Sequence, residues 1–347
     1  VARTPTWGAD LAKKTAEAHA IRAVDLVLSP FVYLCAQLLK LVRMAGVENL
    51  PHSKSALQRA GCFPIWDHYY EPAFQNEHLR AILSKDRHLP GIDWNRDEQL
   101  AVLSSFSNIQ ELETLRQAKG GDEHEFFLQN GRFESGDAEY WYNLVRSQKP
   151  KKIIEVGSGY STLMAVRAIK ASNREDPTYH CDHILIEPYE HGWLEKLDTR
   201  VIREKIEDMD LQMFQELDAG DILFIDSSHM IRPQGDVVFE YLEILPTLKD
   251  GVIVHIHDIF SPRDYPADWV IDRVWFWNEQ YLLEAFLTLN SDWKVIGALN
   301  YLRHNHYDKL KEKCPFLTQD REPGSFYIQR VKGNPSSPAA NGPQSSR

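Results

Sequence analysis

From about Gly121 onward, short apolar runs alternate with segments whose apolar residues recur every three or four positions. The spacing predicts a helix over 137–148, closed by Pro150. Strands are predicted at 152–156, 183–186, 221–225, 252–256, 293–298 and 325–329, with a weaker one at 201–205. Helices are predicted over 161–171, 237–248 and 269–289. Near-continuous apolar strands separated by helices imply a parallel sheet covered on both faces. Ligands of such sheets lie beyond the carboxyl ends of the strands, near the switch in strand order.

The preceding residues carry a different pattern. Segments 16–44 and 97–106 have helical character, the first broken near Ser29-Pro30, and turn-forming residues fill much of the space between. The most apolar stretch, 24–42, contains Asp25, Pro30, Gln37 and Lys40, which are costly in hydrocarbon. It is expected to form a helix pair docked on the protein rather than a span, with contact at a membrane surface as the alternative. The tail from Gly333 is Gly, Asn, Pro, Ser, Ala and Gln, a composition expected to be disordered. The expected organisation is an N-terminal helical and irregular region (1–120), an α/β domain (121–332) and a tail (333–347).

Composition narrows the classes. Of 347 residues, 43% are hydrophobic and 11% aromatic, enough for a substantial core. A formal net charge of −11 without a basic run argues against a nucleic-acid substrate. Cys35, Cys62, Cys181 and Cys314 are scattered, which fits a reducing compartment; with no secretory signal pattern, the expected location is cytoplasmic.

The most informative segment is Glu155-Val156-Gly157-Ser158-Gly159-Tyr160-Ser161-Thr162. A buried strand runs into Gly-x-Gly and then into a helix start, where glycines admit a ligand close to backbone and N–H groups are free to bind it. A dinucleotide fingerprint wants a small third residue, and that position is Thr162. Glu155 places a carboxylate where a cationic ligand fits better than a pyrophosphate.

These residues resemble the first motif of the class I S-adenosylmethionine-dependent methyltransferases. The resemblance implies a Rossmann-like, seven-stranded, mostly parallel sheet with an antiparallel last strand. It places Glu155, Gly157, Ser158, Gly159, Ser161 and Thr162 around the methionine part of the cofactor. It puts Glu187, which ends the next strand, on the ribose hydroxyls, where two carboxylate oxygens suit a vicinal diol. It puts Asp208, within Glu207-Asp208-Met209, near the adenine.

Two further strands end in candidate chemistry: Asp226, with His229 three residues on, and His257-Asp258. Carboxylates and imidazoles at one sheet edge suit a divalent metal. The arrangement is similar to the metal-dependent O-methyltransferases acting on catechols and macrolide sugars. That resemblance implies a metal held by Asp226, His257 and Asp258, with Asp226 also in the cofactor site. Magnesium is expected first, and manganese, iron or zinc are alternatives because imidazole suits softer ions. His229 stands where the catechol enzymes carry a proton-accepting lysine, so it is the expected general base. His255, in phase with His257, is expected to be structural. Tyr265 and Arg273 are expected to touch the substrate, and the aromatic run at 275–277 to be core.

The expected function is therefore methylation of a small molecule or sugar-containing metabolite at a hydroxyl. The alternatives are a nicotinamide-dependent oxidoreductase and a cofactor-binding scaffold. Glu155 and Thr162 argue against the first. The Asp226, His229, His257 and Asp258 set argues against the second.

Overall fold

The computed structural model describes residues 7–331 except Tyr69, Glu123 and Glu190, with side chains from residue 19. The expected disordered tail lies outside the described residues. Two compact units form, Val1–Arg80 and Ala81–Arg347.

The first unit contains α1 (Trp7–Met44) and α2 (Pro51–Ala60). The predicted break at Ser29-Pro30 does not occur: α1 is one helix with Pro30 inside it. A proline removes one donor from the ladder, and the long apolar segments on either side continue the helix. The expected helix pair is therefore a single helix, which the first unit leaves uncovered. Between His19 and Met44 no side chain is buried, and Leu26 and Leu34 are 75% and 69% exposed.

The second unit opens with α3 (Arg96–Ser105) and α4 (Ile109–Leu112). Then come α5 (Asp137–Gln148), β1 (Lys152–Val156), α6 (Tyr160–Glu175), β2 (Asp182–Ile186), β3 (Arg200–Ile202), α7 (Gln212–Gln215) and β4 (Ile222–Ile225). The remainder is α8 (Asp236–Phe239), β5 (Ile253–Ile256), α9 (Glu279–Leu287), β6 (Trp293–Ala298), α10 (Leu299–Asn305), α11 (Tyr307–Lys313) and β7 (Phe326–Arg330). The seven strands form one sheet in the order β3-β2-β1-β4-β5-β7-β6. β1 to β5 are parallel, while β7 runs antiparallel to both β5 and β6. This is the Rossmann-like sheet with a reversed last strand that the motif resemblance implied.

The physical basis is strand burial on both faces. Ile153, Ile222 and Ile253 belong to the core on one face, and Ile154, Leu223 and Val254 to the core on the other. Leu103, Phe106, Leu112 and Leu115, from the region before Gly121, belong to the first of these cores and so to the sheet's own unit. The chain leaves β1 in one direction to β2 and later returns on the other side to β4. The carboxyl ends of β1 and β4 therefore flank the point where strand order reverses, the standard ligand position on such a sheet.

Two helix expectations need correction. The segment 269–289 is not one helix. A wide helical turn at Asp268–Asp272 stops where Val274 takes φ +56°, and α9 begins only at Glu279. A β-branched residue in left-handed backbone breaks a helix outright. The run at 237–248 starts as α8, then widens over Glu240–Ile244 and tightens over Leu245–Thr247 at Pro246.

One buried cation ties α4, α5 and α6 together. Arg146, whose side chain is 1% exposed, donates to Glu111 Oε2 and Oε1 at 2.9 and 2.7 Å and to Ser172 Oγ at 2.9 Å, and also reaches Glu175. The Arg146 hydrogen bond pulls the Glu111 carboxyl down to about 2, against the opposing effect of burial. A depressed carboxylate adds stability that is complete above its unfolded value near 4.5 and is lost as pH falls through the folded one. Glu111→Gln should cost about 1–2 kcal/mol at neutral pH, the worth of a charged hydrogen bond. Urea unfolding across an acid series checks this: the gap from wild type should narrow as pH falls from about 4.5 towards about 2.

Candidate active site

The loop after β1 is shaped by backbone constraints. Gly157 takes φ +74°, and a Cβ there would collide with the backbone carbonyl of Asp226, so only glycine lets the β1 and β4 loops close on each other. Gly157 N–H donates to Ile186 O at 3.0 Å, and Asp226 N–H to Val156 O at 2.9 Å, lacing three strand ends together. Gly159 N–H donates to Thr162 Oγ1 at 3.0 Å, which caps the start of α6.

The two expected cofactor acids lie at their strand ends but face differently. Glu155 is fully buried, with Oε1 accepting from Ser161 Oγ and Oε2 lying 2.9 Å from His183 Nε2. Its carboxylate therefore braces the first turn of α6 from below and offers no open oxygen to a ligand. Glu187, 8% exposed, lies across the glycine loop, accepting from Ser158 N–H at 3.3 Å and Tyr189 N–H at 2.9 Å. The Ser158 hydroxyl is buried with no hydrogen-bond partner among the described residues. Asp208 sits exposed at the end of a short helical turn that follows β3.

The ends of β4 and β5 converge. His229 Nε2 lies 3.2 Å from Asp226 Oδ1 and 3.6 Å from Asp258 Oδ2. One ligand-type atom from each of Asp226, His229 and Asp258 falls within 4.8 Å of the others. His257 Nδ1 lies 3.5 Å from Asp226 Oδ1 and 3.6 Å from Asp258 Oδ1, ion-pair distances at which neither ring nitrogen makes a well-formed hydrogen bond. The compact group is thus Asp226, His229 and Asp258. His257, expected as a metal ligand, stands at its edge, and His229, expected only as a base, stands inside it.

The surrounding chain holds this group rigidly. His229 and Asp258 both adopt left-handed backbone, φ +58° and +57°. Each costs about 1–3 kcal/mol and persists only where neighbours enforce it. Around His229 the neighbours are Asn278 and Glu279, whose N–H groups donate to its carbonyl at 3.0 and 3.2 Å. Asp236 accepts from both the N–H and the hydroxyl of Ser228, at 2.9 and 2.7 Å. Beside Asp258, Ile259 N–H donates to Gly324 O at 2.8 Å, and Asp137 accepts from the N–H groups of Gly324 and Ser325.

Glu279 is the residue that sequence reading missed. Its Oε2 lies 2.8 Å from His229 Nδ1, and its Oε1 accepts from the Tyr241 hydroxyl at 3.0 Å. It is fully buried. Tied this way, the His229 ring is held with Nδ1 on Glu279 and Nε2 towards the two aspartates. The only sequence signal was a glutamate opening a helix after Trp277-Asn278, fifty residues from its partner.

Electrostatics follow from the crowding. Burial disfavours charge on Asp226, but the charge of His257 and the hydrogen bond from His229 hold its carboxyl well below the usual range. Burial likewise disfavours the His229 cation, and the bonds to Asp226 and Glu279 more than reverse this. Among the described residues no lysine or arginine forms an ion pair with Asp226, Asp258 or Glu279. Only imidazoles balance these acids. Two carboxylates and an oriented imidazole fit a divalent cation, with the His257 ring at the edge of the same group.

Beside the acids stands an aromatic wall. The Trp277 ring lies 4.3 Å from that of His229, with Trp275 stacked 4.5 Å behind it and Trp269 at 5.2 Å. The tryptophans at 275 and 277, expected as core, are only partly buried. Neither expected substrate residue lies within the acidic centre, though the Tyr265 ring stands 6.2 Å from that of Trp277. Tyr265 is 2% exposed and its hydroxyl accepts from Gln280 N–H at 3.0 Å, which makes it core. Arg273 lies over Trp275 at 4.9 Å and pairs with Asp268 at 3.5 Å, outside the acidic centre. His255 is boxed by Trp141, Phe224 and Tyr327, in keeping with a structural part.

Residues 154–259 match a family described as a methyltransferase domain. This segment runs from β1 through the acidic centre. An uncharacterized protein of Archaeoglobus fulgidus is 27% identical over 166 residues, covering 44% of this chain and 72% of that protein. Among solved structures, the O-methyltransferase from Bacillus cereus in complex with SAH is 13% identical, over 68% of this chain and 91% of that one, at a TM-score of 0.34. The plantazolicin methyltransferase BpumL, in complex with a triazolic desmethylPZN analog and SAH, is 14% identical over 57% and 84%, at a TM-score of 0.34. Overlaps this slight assign no residue a role.

Proposed function

We propose that this protein is an S-adenosylmethionine-dependent methyltransferase that methylates a hydroxyl of a small molecule or sugar-containing metabolite with the help of a divalent cation. The observation that carries the proposal is the convergence of Asp226, His229 and Asp258 at the edge of the methyltransferase domain.

In this reading the cofactor lies across the Gly157–Gly159 loop. The Ser158 hydroxyl faces it, Glu187 takes the ribose diol, and Asp208 lies towards the adenine. Glu155 acts from beneath, fixing Ser161 and the start of α6. Asp226, His229 and Asp258 would hold the cation, and Glu279 would keep Nε2 of His229 aimed at it. Carboxylates suit magnesium and manganese, and the imidazole shifts the preference towards manganese. Such a cation lowers the pKa of an acceptor hydroxyl and fixes its direction. Trp277 supplies a flat apolar face beside the same centre, suited to the ring of a sugar or an aromatic acceptor. Holding acceptor oxygen and methyl group in line accounts for much of the rate, because methyl transfer is a bimolecular displacement made local.

A second reading has one observation in its favour. A histidine whose Nδ1–H is held by a buried carboxylate is also the arrangement of a general base. In that case no cation is needed, and His229 accepts the proton once it has lost its own, which its raised pKa moves to higher pH.

Two measurements separate these outcomes. Calorimetry should show binding of S-adenosylmethionine and S-adenosylhomocysteine but not NADH, and Glu187→Ala should weaken it by about 1–3 kcal/mol. Binding of NADH alone would overturn the cofactor assignment. Methyl transfer to a panel of hydroxylated acceptors should stop in chelator and return with manganese or magnesium. Full turnover in chelator would leave the reading with His229 as sole base.

A further inference from the structure

Helix α1 carries an apolar surface that the first unit leaves uncovered. Ile21, Val24, Leu26, Val27, Leu28, Phe31, Val32, Tyr33, Leu34, Leu38 and Leu41 are all at least half exposed. At about 100° per residue these positions surround most of the helix and are not confined to one seam. A groove or a coiled-coil partner covers one stripe and would leave the rest in water.

The charges decide what covers the whole circumference. From Leu26 to Leu39 there is no charged residue. Arg22 and Asp25 stand at one end of that stretch, and Lys40 and Arg43 at the other. A helix lying flat on a membrane surface carries charges along its entire polar face, including the middle. Here they are confined to the ends, where long side chains reach an interface. The 26 residues of His19–Met44 span about 39 Å at ~1.5 Å each, enough for a hydrocarbon layer of about 30 Å with some tilt. Pro30 is tolerated inside such a helix.

We propose that His19–Met44 is a membrane-spanning anchor that tethers the methyltransferase to a lipid bilayer. This reverses the expectation that 24–42 packs on protein. It is independent of the metal and acceptor assignments.

Two free cysteines provide the test. Cys35 lies mid-helix and Cys62 beyond α2, both exposed, while Cys181 and Cys314 are buried. The full chain is reconstituted into vesicles of phosphatidylcholine and phosphatidylglycerol. It should float with them and resist alkaline carbonate. A membrane-impermeant maleimide, read by peptide mass spectrometry, should modify Cys62 at least tenfold faster than Cys35, with the difference abolished in denaturing detergent. Phe31→Arg combined with Leu34→Arg should release the protein from vesicles without changing S-adenosylhomocysteine affinity. Equal labelling of Cys35 and Cys62 on floating protein, or release by carbonate, would replace the span with a surface helix. Failure to float, with mass rising with concentration in solution, would assign the helix to a second copy. Either result overturns the proposal.

Discussion

The structure around the switch point depends on how three crowded acids, Glu279 fully buried and Asp226 and Asp258 partly so, are balanced. Asp226 and Asp258 end neighbouring strands, and Glu279 stands behind them at the start of α9. Isolated carboxylates in such surroundings are costly unless paired. Among the described residues their ion-pair partners are the imidazoles of His229 and His257. The acids hold both imidazoles protonated above their usual range, yet an imidazole, unlike lysine or arginine, can exchange its proton for a metal bond. A centre built this way can bind and release a cation without breaking a permanent ion pair.

The rest of the domain can be understood as the frame for that balance. Parallel register brings the ends of β1, β4 and β5 level, and Gly157 lets the first two loops touch. The antiparallel β7 brings Gly324 against Asp258, while Asp137 holds the β7 approach through two backbone donors. His229 and Asp258 keep unfavourable backbone angles because these neighbours leave no alternative. Strain of this kind is retained where geometry serves chemistry. The aromatic wall then borders the centre with an apolar surface.

Much of the sheet was legible because apolar runs and turn residues are local signals. The strands ending in Glu155, Glu187, Asp226 and Asp258 fell where their patterns put them, and so did the reversed last strand that the motif implied. What could not be read were side-chain directions and distant partners. Glu155 ends its strand as expected but turns inward to Ser161 and His183. Glu279 and Trp277 reach His229 only after a segment that periodicity reads as a continuous helix and that Val274 breaks. Tyr265 was expected to touch the substrate, yet its ring is 2% exposed. In α1 the polar residues within the apolar run do not break the helix, and the charged ones stand only towards its ends.

The central claim is that Asp226, His229 and Asp258 form one cation centre beside the cofactor loop. Its most direct test is anomalous diffraction from crystals grown with S-adenosylhomocysteine and manganese. The account predicts one strong peak touching Asp226, His229 Nε2 and Asp258, with His229 Nδ1 still on Glu279. No peak there at saturating manganese, or the two aspartate side chains turned away from a common point, would contradict it.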